Sequence, residues 1–193
     1  MRDNLQFLDV GEGEGARKIA VRCTPGAGTP VVWLGGFKSD MASTKAAALD
    51  DWCKANGRPM VRMDYAGHGE SLAGNGAPGR FQDYVFSDWI EDACAVLSHC
   101  VESPPIIVGS SMGGWLAVLI AKRRMEQGQT GSIAGLVLIA PACDFTETLM
   151  WPQFPDHVKA EIMEKGIFNL PSAYSPEPTP ITRALIEDGR KNL

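Results

Sequence analysis

Ser111 lies at the centre of Gly109-Ser-Ser-Met-Gly113, a G-x-S-x-G pattern that is typical of a nucleophilic serine. The apolar run 105–109 before it predicts a strand buried on both faces, and apolar residues at helical spacing follow from Trp115. A strand, a sharp turn and a helix in succession would hold the hydroxyl where a substrate carbonyl can reach it. The segment therefore predicts acyl transfer, and the alternative is a buried loop serine without chemistry.

The rest of the sequence alternates strand-like apolar runs with helical patterns, which predicts a mainly parallel sheet with helices on its faces. An antiparallel pair, 5–10 and 17–23, is expected at the start of the chain. The other expected strands are 30–35, 59–64 and 133–140, and the other expected helices are 43–56, 87–100 and one that begins near Thr182.

The composition predicts an ordinary globular domain that spans residues 1–193. A net charge of −5 gives no electrostatic reason to expect nucleic acid or an anionic membrane as a partner, and no segment is apolar enough to span a bilayer. The five cysteines lack C-x-x-C spacing, so neither a disulfide framework nor a zinc site is expected. A reducing, cytoplasmic location is the prediction.

Residues 143–180 differ from the rest of the chain, because six prolines interrupt two short helical patterns there. This segment is interpreted as a small helical cap inserted over the carboxyl edge of the sheet. Its aromatic residues Trp151 and Phe154 are candidate substrate-binding residues that would line a pocket for an apolar acyl group. Packing of the cap onto the body is the equally strong alternative.

Four segments, in this order, resemble the α/β-hydrolase family over essentially the whole chain. They are Trp33-Leu-Gly-Gly-Phe-Lys-Ser-Asp40, Met63-Asp-Tyr-Ala-Gly-His-Gly-Glu-Ser71, the Ser111 segment and Leu138-Ile-Ala-Pro-Ala142. The chain is most similar to small hydrolases of acyl esters and acyl thioesters.

The resemblance implies an α/β-hydrolase fold in which Ser111 is the catalytic nucleophile. It places an oxyanion hole at the backbone N–H groups of Phe37 and Met112, and it makes Gly36 a substrate-binding residue. The expected substrate is a small ester or thioester with an apolar acyl group, and no cofactor or metal is expected. The Phe37 side chain has the alternative role of an apolar lining residue.

The catalytic acid and histidine of such hydrolases follow the serine, after the seventh and eighth strands, and no such strands are recognisable after Ile181. His68 precedes the serine in a loop that shapes the pocket floor in relatives, and His99 ends a surface helix. His157 follows the serine and has acidic neighbours in sequence, so a triad rebuilt through the cap is a further alternative; those neighbours are Asp144, Glu147 and Asp156. The notable expectation is that the chain lacks its last strands, together with the triad acid and histidine.

A pseudo-hydrolase that binds a small apolar or acyl ligand without catalysis is the alternative to a serine hydrolase. The literal G-x-G-x-x-G at 74–79 does not predict dinucleotide binding, because it neither follows a strand directly nor opens a helix.

Overall fold

A computed structural model describes residues 5–72, 79–171 and 177–193. Eight strands are present in these residues, and most of them begin and end within a few residues of the predicted bounds. They are β1 (Leu5–Val10), β2 (Arg17–Thr24), β3 (Val31–Leu34), β4 (Met60–Met63), β5 (Ile106–Ser110), β6 (Gly135–Ile139), β7 (Ile167–Leu170) and β8 (Thr179–Thr182).

The first six strands form one sheet in the order β1-β2-β4-β3-β5-β6. β1 pairs antiparallel with β2, and β2 antiparallel with β4, whereas β4, β3, β5 and β6 run parallel. The predicted opening antiparallel pair and the mainly parallel sheet are thus confirmed. Because parallel strands share a direction, the residues that follow β3, β4, β5 and β6 meet at one edge of the sheet.

Helices cover both faces of this sheet, as predicted. The helices are α1 (Thr44–Ala55), α2 (Phe86–His99), α3 (Met112–Glu126), α4 (Asp156–Lys165) and α5 (Arg183–Lys191). α2 and α3 pack on one face, where Phe86 stacks on Trp115 with ring centroids 3.9 Å apart. α1 packs on the other face through Ala46 and Cys53, against Trp33 of β3.

β6 lies at the edge of the sheet, and within the described residues no strand pairs with its outer side. Four of its consecutive side chains are between 37% and 48% exposed, although all of them are apolar: Leu136, Val137, Leu138 and Ile139. Beside them, a groove of about 490 Å³ runs between α1 and the sheet and is lined by Trp52, Val108 and Val137 among others. Within the described residues β6 is therefore an apolar edge strand.

The segment after β6 contains short helices, as the sequence predicts, but also a hairpin that it does not. A π-helical turn (Thr146–Met150) and a 3-10 turn (Trp151–Gln153) precede α4. β7 and β8 then pair antiparallel, so part of the segment 143–180 is a two-stranded hairpin. The expected last helix is present as α5, where the Thr182 hydroxyl accepts a hydrogen bond from the Leu185 N–H at 3.0 Å.

Other expectations concern the whole chain. No helix in the described residues is long and apolar enough to cross a membrane. All five cysteines are free thiols. Most of the glycine-rich stretch 74–79 lies outside the described residues, so its interpretation stays a prediction.

Candidate active site

Ser111 occupies the sharp turn between β5 and α3, as the sequence predicts. Its backbone has φ 54° and ψ −121°, a conformation that a residue with a side chain rarely adopts. Its N–H donates to the Ile139 carbonyl at 3.0 Å, and its carbonyl accepts from the Ala142 N–H at 3.0 Å. Neighbouring residues of β5 and α3 are buried while Ser111 itself is exposed. The fold therefore forces the turn and presents this side chain at the surface.

The two flanking glycines leave room for this turn. A Cβ on Gly109 would collide with the backbone carbonyl of Gly113. A Cβ on Gly113 would collide with the Leu34 carbonyl at the end of β3. Because both collisions are with backbone atoms, neither position has room for a side chain. The G-x-S-x-G spacing thus reflects close packing between β3, β5 and α3.

The segment after β3 lies directly against Ser111. A Cβ on Gly36 would be 3.3 Å from the Ser111 Cβ and 3.8 Å from its Oγ. Residues 36–39 form a turn that the Ser39 N–H closes by donating to the Gly36 carbonyl at 3.1 Å. The Gly36 backbone thus lies beside the Ser111 side chain, and Phe37 follows it in the same turn.

The side chains of Phe37 and Met112 pack in the hydrophobic core. The Phe37 ring packs on Phe81 and Phe145, with centroids 5.1 and 5.4 Å away. The Met112 side chain is fully buried. Because Met112 is the first residue of α3, its N–H has no acceptor within the helix and lies at the positive end of the helix dipole. Side-chain packing and an oxyanion role for the N–H groups are thus compatible.

The cap residues Trp151 and Phe154 contact each other edge to face, with ring centroids 6.4 Å apart. Phe154 is buried in a small apolar cluster with Val158 and Ile162 of α4. The same cluster packs against Phe37, which follows β3 at the edge of the sheet where Ser111 lies. Phe154 therefore takes part in packing, and the half-buried Trp151 packs against the same cluster.

None of the three histidines hydrogen-bonds to Ser111 in the described residues. His99 is exposed, and its Nδ1 lies 2.8 Å from the Ala95 carbonyl of its own helix. His157 is exposed on α4, and no hydrogen bond or ion pair joins it to an acidic side chain within the described part of the chain. Glu147, one of its candidate partners, instead pairs with Arg190 at 2.6 Å. The structure does not assemble the rebuilt triad.

His68 is buried next to the turn of residues 36–39, called the Phe37 turn below, and both of its ring nitrogens have hydrogen-bond partners. Nε2 is 3.2 Å from the Lys38 N–H, and Nδ1 is 3.2 Å from the Ala66 carbonyl. Because an N–H can only donate and a carbonyl can only accept, Nδ1 carries the proton and Nε2 is the acceptor. Burial lowers the pKa of His68 to about 4, against the hydrogen bond to the Ala66 carbonyl, which raises it; the Lys38 ammonium adds to the lowering and Asp40 opposes it. His68 is neutral at physiological pH.

This lowered pKa predicts a loss of stability in mild acid. Between pH 6.5 and 4 the unfolded chain binds a proton at His68 that the folded chain excludes. The free energy of unfolding therefore decreases as the pH is lowered, and at pH 4.5 it is about 2–3 kcal/mol below its value at pH 7. Above pH 6.5 both states are neutral and the contribution is constant. Denaturant unfolding of wild type and His68→Gln at pH 7 and 4.5 measures the difference, because the other titrating groups are common to both. Equal losses in the two proteins would contradict the assignment.

Most of the chain is similar to known proteins. Residues 31–184 match the protein family described as "Serine aminopeptidase, S33". Human "Palmitoyl-protein thioesterase ABHD10, mitochondrial" is 31% identical over 159 residues, which cover 82% of this chain and 48% of that protein. The chain therefore spans about half the length of the curated relatives it matches.

Two solved structures extend the likeness to the fold. A putative hydrolase from Agrobacterium vitis S4 is 41% identical with a TM-score of 0.88, over 100% of this chain and 73% of that chain. "Alpha/beta hydrolase domain-containing protein 10 from mouse" is 28% identical with a TM-score of 0.77, over 98% of this chain and 70% of that chain.

Proposed function

Because the chain belongs to the serine aminopeptidase S33 family of hydrolases and has the α/β-hydrolase fold, we propose that it is a serine hydrolase of carboxylic esters or thioesters. Ser111 Oγ attacks the substrate carbonyl and forms an acyl-enzyme, which water then hydrolyses. The N–H groups of Phe37 and Met112 stabilise the oxyanion of each tetrahedral intermediate, and each such donor contributes about 3–4 kcal/mol.

One observation carries the proposal. Ser111 is exposed on a strained turn, and the two glycine positions that flank it have no room for a side chain. The Gly36 backbone lies against Ser111. Strained backbone persists where the surrounding structure over-determines it, and such sites are often functional. A serine that served packing alone would need neither the positive φ nor the exposed position.

The substrate class follows from apolar side chains near Ser111 and from the relatives. The Phe37 ring and the half-buried Trp151 are apolar surfaces where the cap meets the sheet. The human relative is named a palmitoyl-protein thioesterase. We therefore propose thioesters of apolar acyl groups as the preferred substrates, with Gly36 and Trp151 as binding residues and with the buried Phe154 supporting Trp151. The reaction needs no metal or cofactor.

The proton acceptor is unassigned, which supports a second candidate function. Ser111 must lose its proton to a base, and none of the described histidines contacts it. Removal of such a base from a well-studied serine hydrolase costs about a million-fold in turnover. A protein with this site and no base would bind acyl groups without efficient turnover, as the pseudo-hydrolase alternative holds.

A covalent probe and a ligand separate these two functions. A serine hydrolase is expected to form a fluorophosphonate adduct on the peptide that contains Ser111 and to cleave a palmitoyl thioester. A binding module is expected to form no adduct and to be stabilised against heat by palmitate. Intact-mass and peptide mass spectrometry measure the adduct, and a thermal melt measures binding. A folded protein that shows neither response would exclude both functions.

A further inference from the structure

His68 is a buried polar side chain that the proposed chemistry of Ser111 does not use. Its ring is 3% exposed and lies edge-on to three aromatic rings, with centroids between 5.1 and 5.6 Å away: Tyr65, Phe81 and Trp89. Its two hydrogen bonds go to backbone atoms, the Lys38 N–H and the Ala66 carbonyl. A buried histidine costs desolvation, so an apolar ring would fill this space at less cost if filling it were the only requirement.

The Lys38 N–H belongs to the turn that lies against Ser111. Lys38 is the third residue of that turn and has φ 59°. A positive φ at the third position of a four-residue turn favours glycine or asparagine, because a side chain is strained there. The Lys38 ammonium lies 4.7 Å from the centre of the Phe81 ring. The sequence thus places a strained lysine where a glycine would be relaxed.

The hydrogen bond to His68 opposes the relaxation of this turn. The peptide unit between Phe37 and Lys38 must direct its N–H toward Nε2 for the 3.2 Å contact to form. A rotation of that unit would relieve the positive φ at Lys38, and it would leave Nε2 buried without a donor. The neutral ring therefore selects the strained form of the turn.

We infer that His68 is a positioning residue: its Nε2 holds the Lys38 N–H, which fixes the peptide unit after Phe37, and the turn so fixed keeps the neighbouring Phe37 N–H directed at the Ser111 oxyanion. The inference rests on the proposed serine hydrolase function, in which Phe37 is a donor. His68 itself touches neither Ser111 nor the reacting atoms. Its role needs a neutral ring, and the charged groups that face it are Lys38 and Asp40.

Three substitutions separate the acceptor from the volume of the ring. His68→Gln can place an amide oxygen near the Nε2 position, His68→Asn reaches only the Nδ1 position, and His68→Phe keeps a ring with no acceptor. Fluorophosphonate labelling of Ser111 is measured over a range of probe concentrations, with His99→Gln at an exposed histidine as the matched control.

The expected result is a difference in the maximal labelling rate and not in probe affinity. Loss of one oxyanion donor costs about 10²–10³-fold, so a displaced donor is expected to cost about 10–100-fold in His68→Asn and His68→Phe. His68→Gln is expected to recover a rate within about threefold of wild type, and His99→Gln to match it. Equal rates in His68→Gln and His68→Phe, in proteins that melt cooperatively, would overturn the inference.

Amide hydrogen exchange gives a second readout that does not need a reactive serine. The Lys38 N–H is expected to be protected in wild type and His68→Gln and to exchange faster in His68→Phe. If Ser111 is unlabelled in every variant, the proposed function is wrong, and the exchange of the Lys38 and Phe37 N–H groups alone decides the inference. Unchanged protection of Lys38 in His68→Phe would then reject it.

Discussion

Replacement of Ser111 by alanine is expected to abolish the covalent fluorophosphonate adduct completely. The adduct requires the Ser111 Oγ, and the turn that presents this side chain has no second exposed hydroxyl in its G-x-S-x-G segment, because Ser110 is only 6% exposed. Intact-mass spectrometry detects the adduct as a single added probe mass. Ser111→Ala is expected to reduce thioester turnover by a smaller factor than it reduces the adduct. A nucleophile and its base act as a unit, so the loss of one and the loss of the other do not add.

The neighbouring serine provides the matched control. Ser110 lies in β5 opposite Ile139 of β6, so Ser110→Ala removes the same atom one position earlier while leaving the Ser111 hydroxyl in place. Ser110→Ala is expected to label as wild type does. Labelling that persists in Ser111→Ala, or disappears only in Ser110→Ala, would show that Ser111 is not the nucleophile.

The second large effect is expected in stability, from Arg17→Met. The Arg17 Nε lies 2.6 Å from Asp92 Oδ1, and both side chains are almost fully buried. Burial raises the pKa of Asp92 to about 6 even beside the guanidinium. Removal of Arg17 leaves the carboxylate buried without its cation, which typically costs 3–5 kcal/mol. Chemical denaturation of Arg17→Met at pH 7 measures this loss of unfolding free energy.

Two companion variants test the cause of this loss. Glu91 also pairs with Arg17, at 2.8 Å, but its side chain is 58% exposed, so Glu91→Gln is expected to cost less than about 1 kcal/mol. Asp92→Asn in the Arg17→Met background removes the stranded charge and keeps an oxygen for the Ala66 N–H, so it is expected to recover part of the stability. If the double variant is as unstable as Arg17→Met, the buried charge is not the cause.

This ion pair also connects to the candidate site. Asp92 Oδ2 accepts from the Ala66 N–H at 2.9 Å, while the Ala66 carbonyl accepts from Trp89 Nε1 at 3.1 Å and faces His68 Nδ1. A continuous set of hydrogen bonds thus leads from Arg17 on β2 to the Phe37 turn. Each link fixes the backbone of the loop after β4, which carries His68. The stability of that loop and the orientation of the turn are therefore supported by the same contacts.

The strands and helices of the main sheet could be predicted because their apolar periodicity is local. The Ser111 turn could also be predicted, since glycine spacing, the strand before it and the helix after it are all contiguous in sequence. The β7–β8 hairpin could not: β7 contains Asn169 and β8 contains Pro180, and four-residue strands carry little pattern. Their pairing depends on tertiary contacts.

The polar network of the candidate site was not predictable for a different reason. Arg17 and Asp92 are 75 positions apart, and Lys38 and His68 are 30 apart. No sequence signal joins such pairs, because hydrogen bonds between distant segments depend on the register of β2, β3 and β4. His68 could be assigned to a pocket-forming loop from its motif, whereas its partner at Lys38 becomes visible only when the strands are assembled.

The exposed β6 has a consequence for the behaviour of this chain in solution. In the part of the chain that the structure describes, its outer edge presents unpaired backbone N–H and C=O groups, and its apolar side chains lie beside an apolar groove. An extended segment of another molecule can add to such an edge without any specific recognition. Self-association should therefore increase with concentration and with salts that strengthen apolar contacts, and a lysine at Val137 would oppose it through charge. The edge of β6, which is separate from the Ser111 turn, would then limit the solubility of the protein.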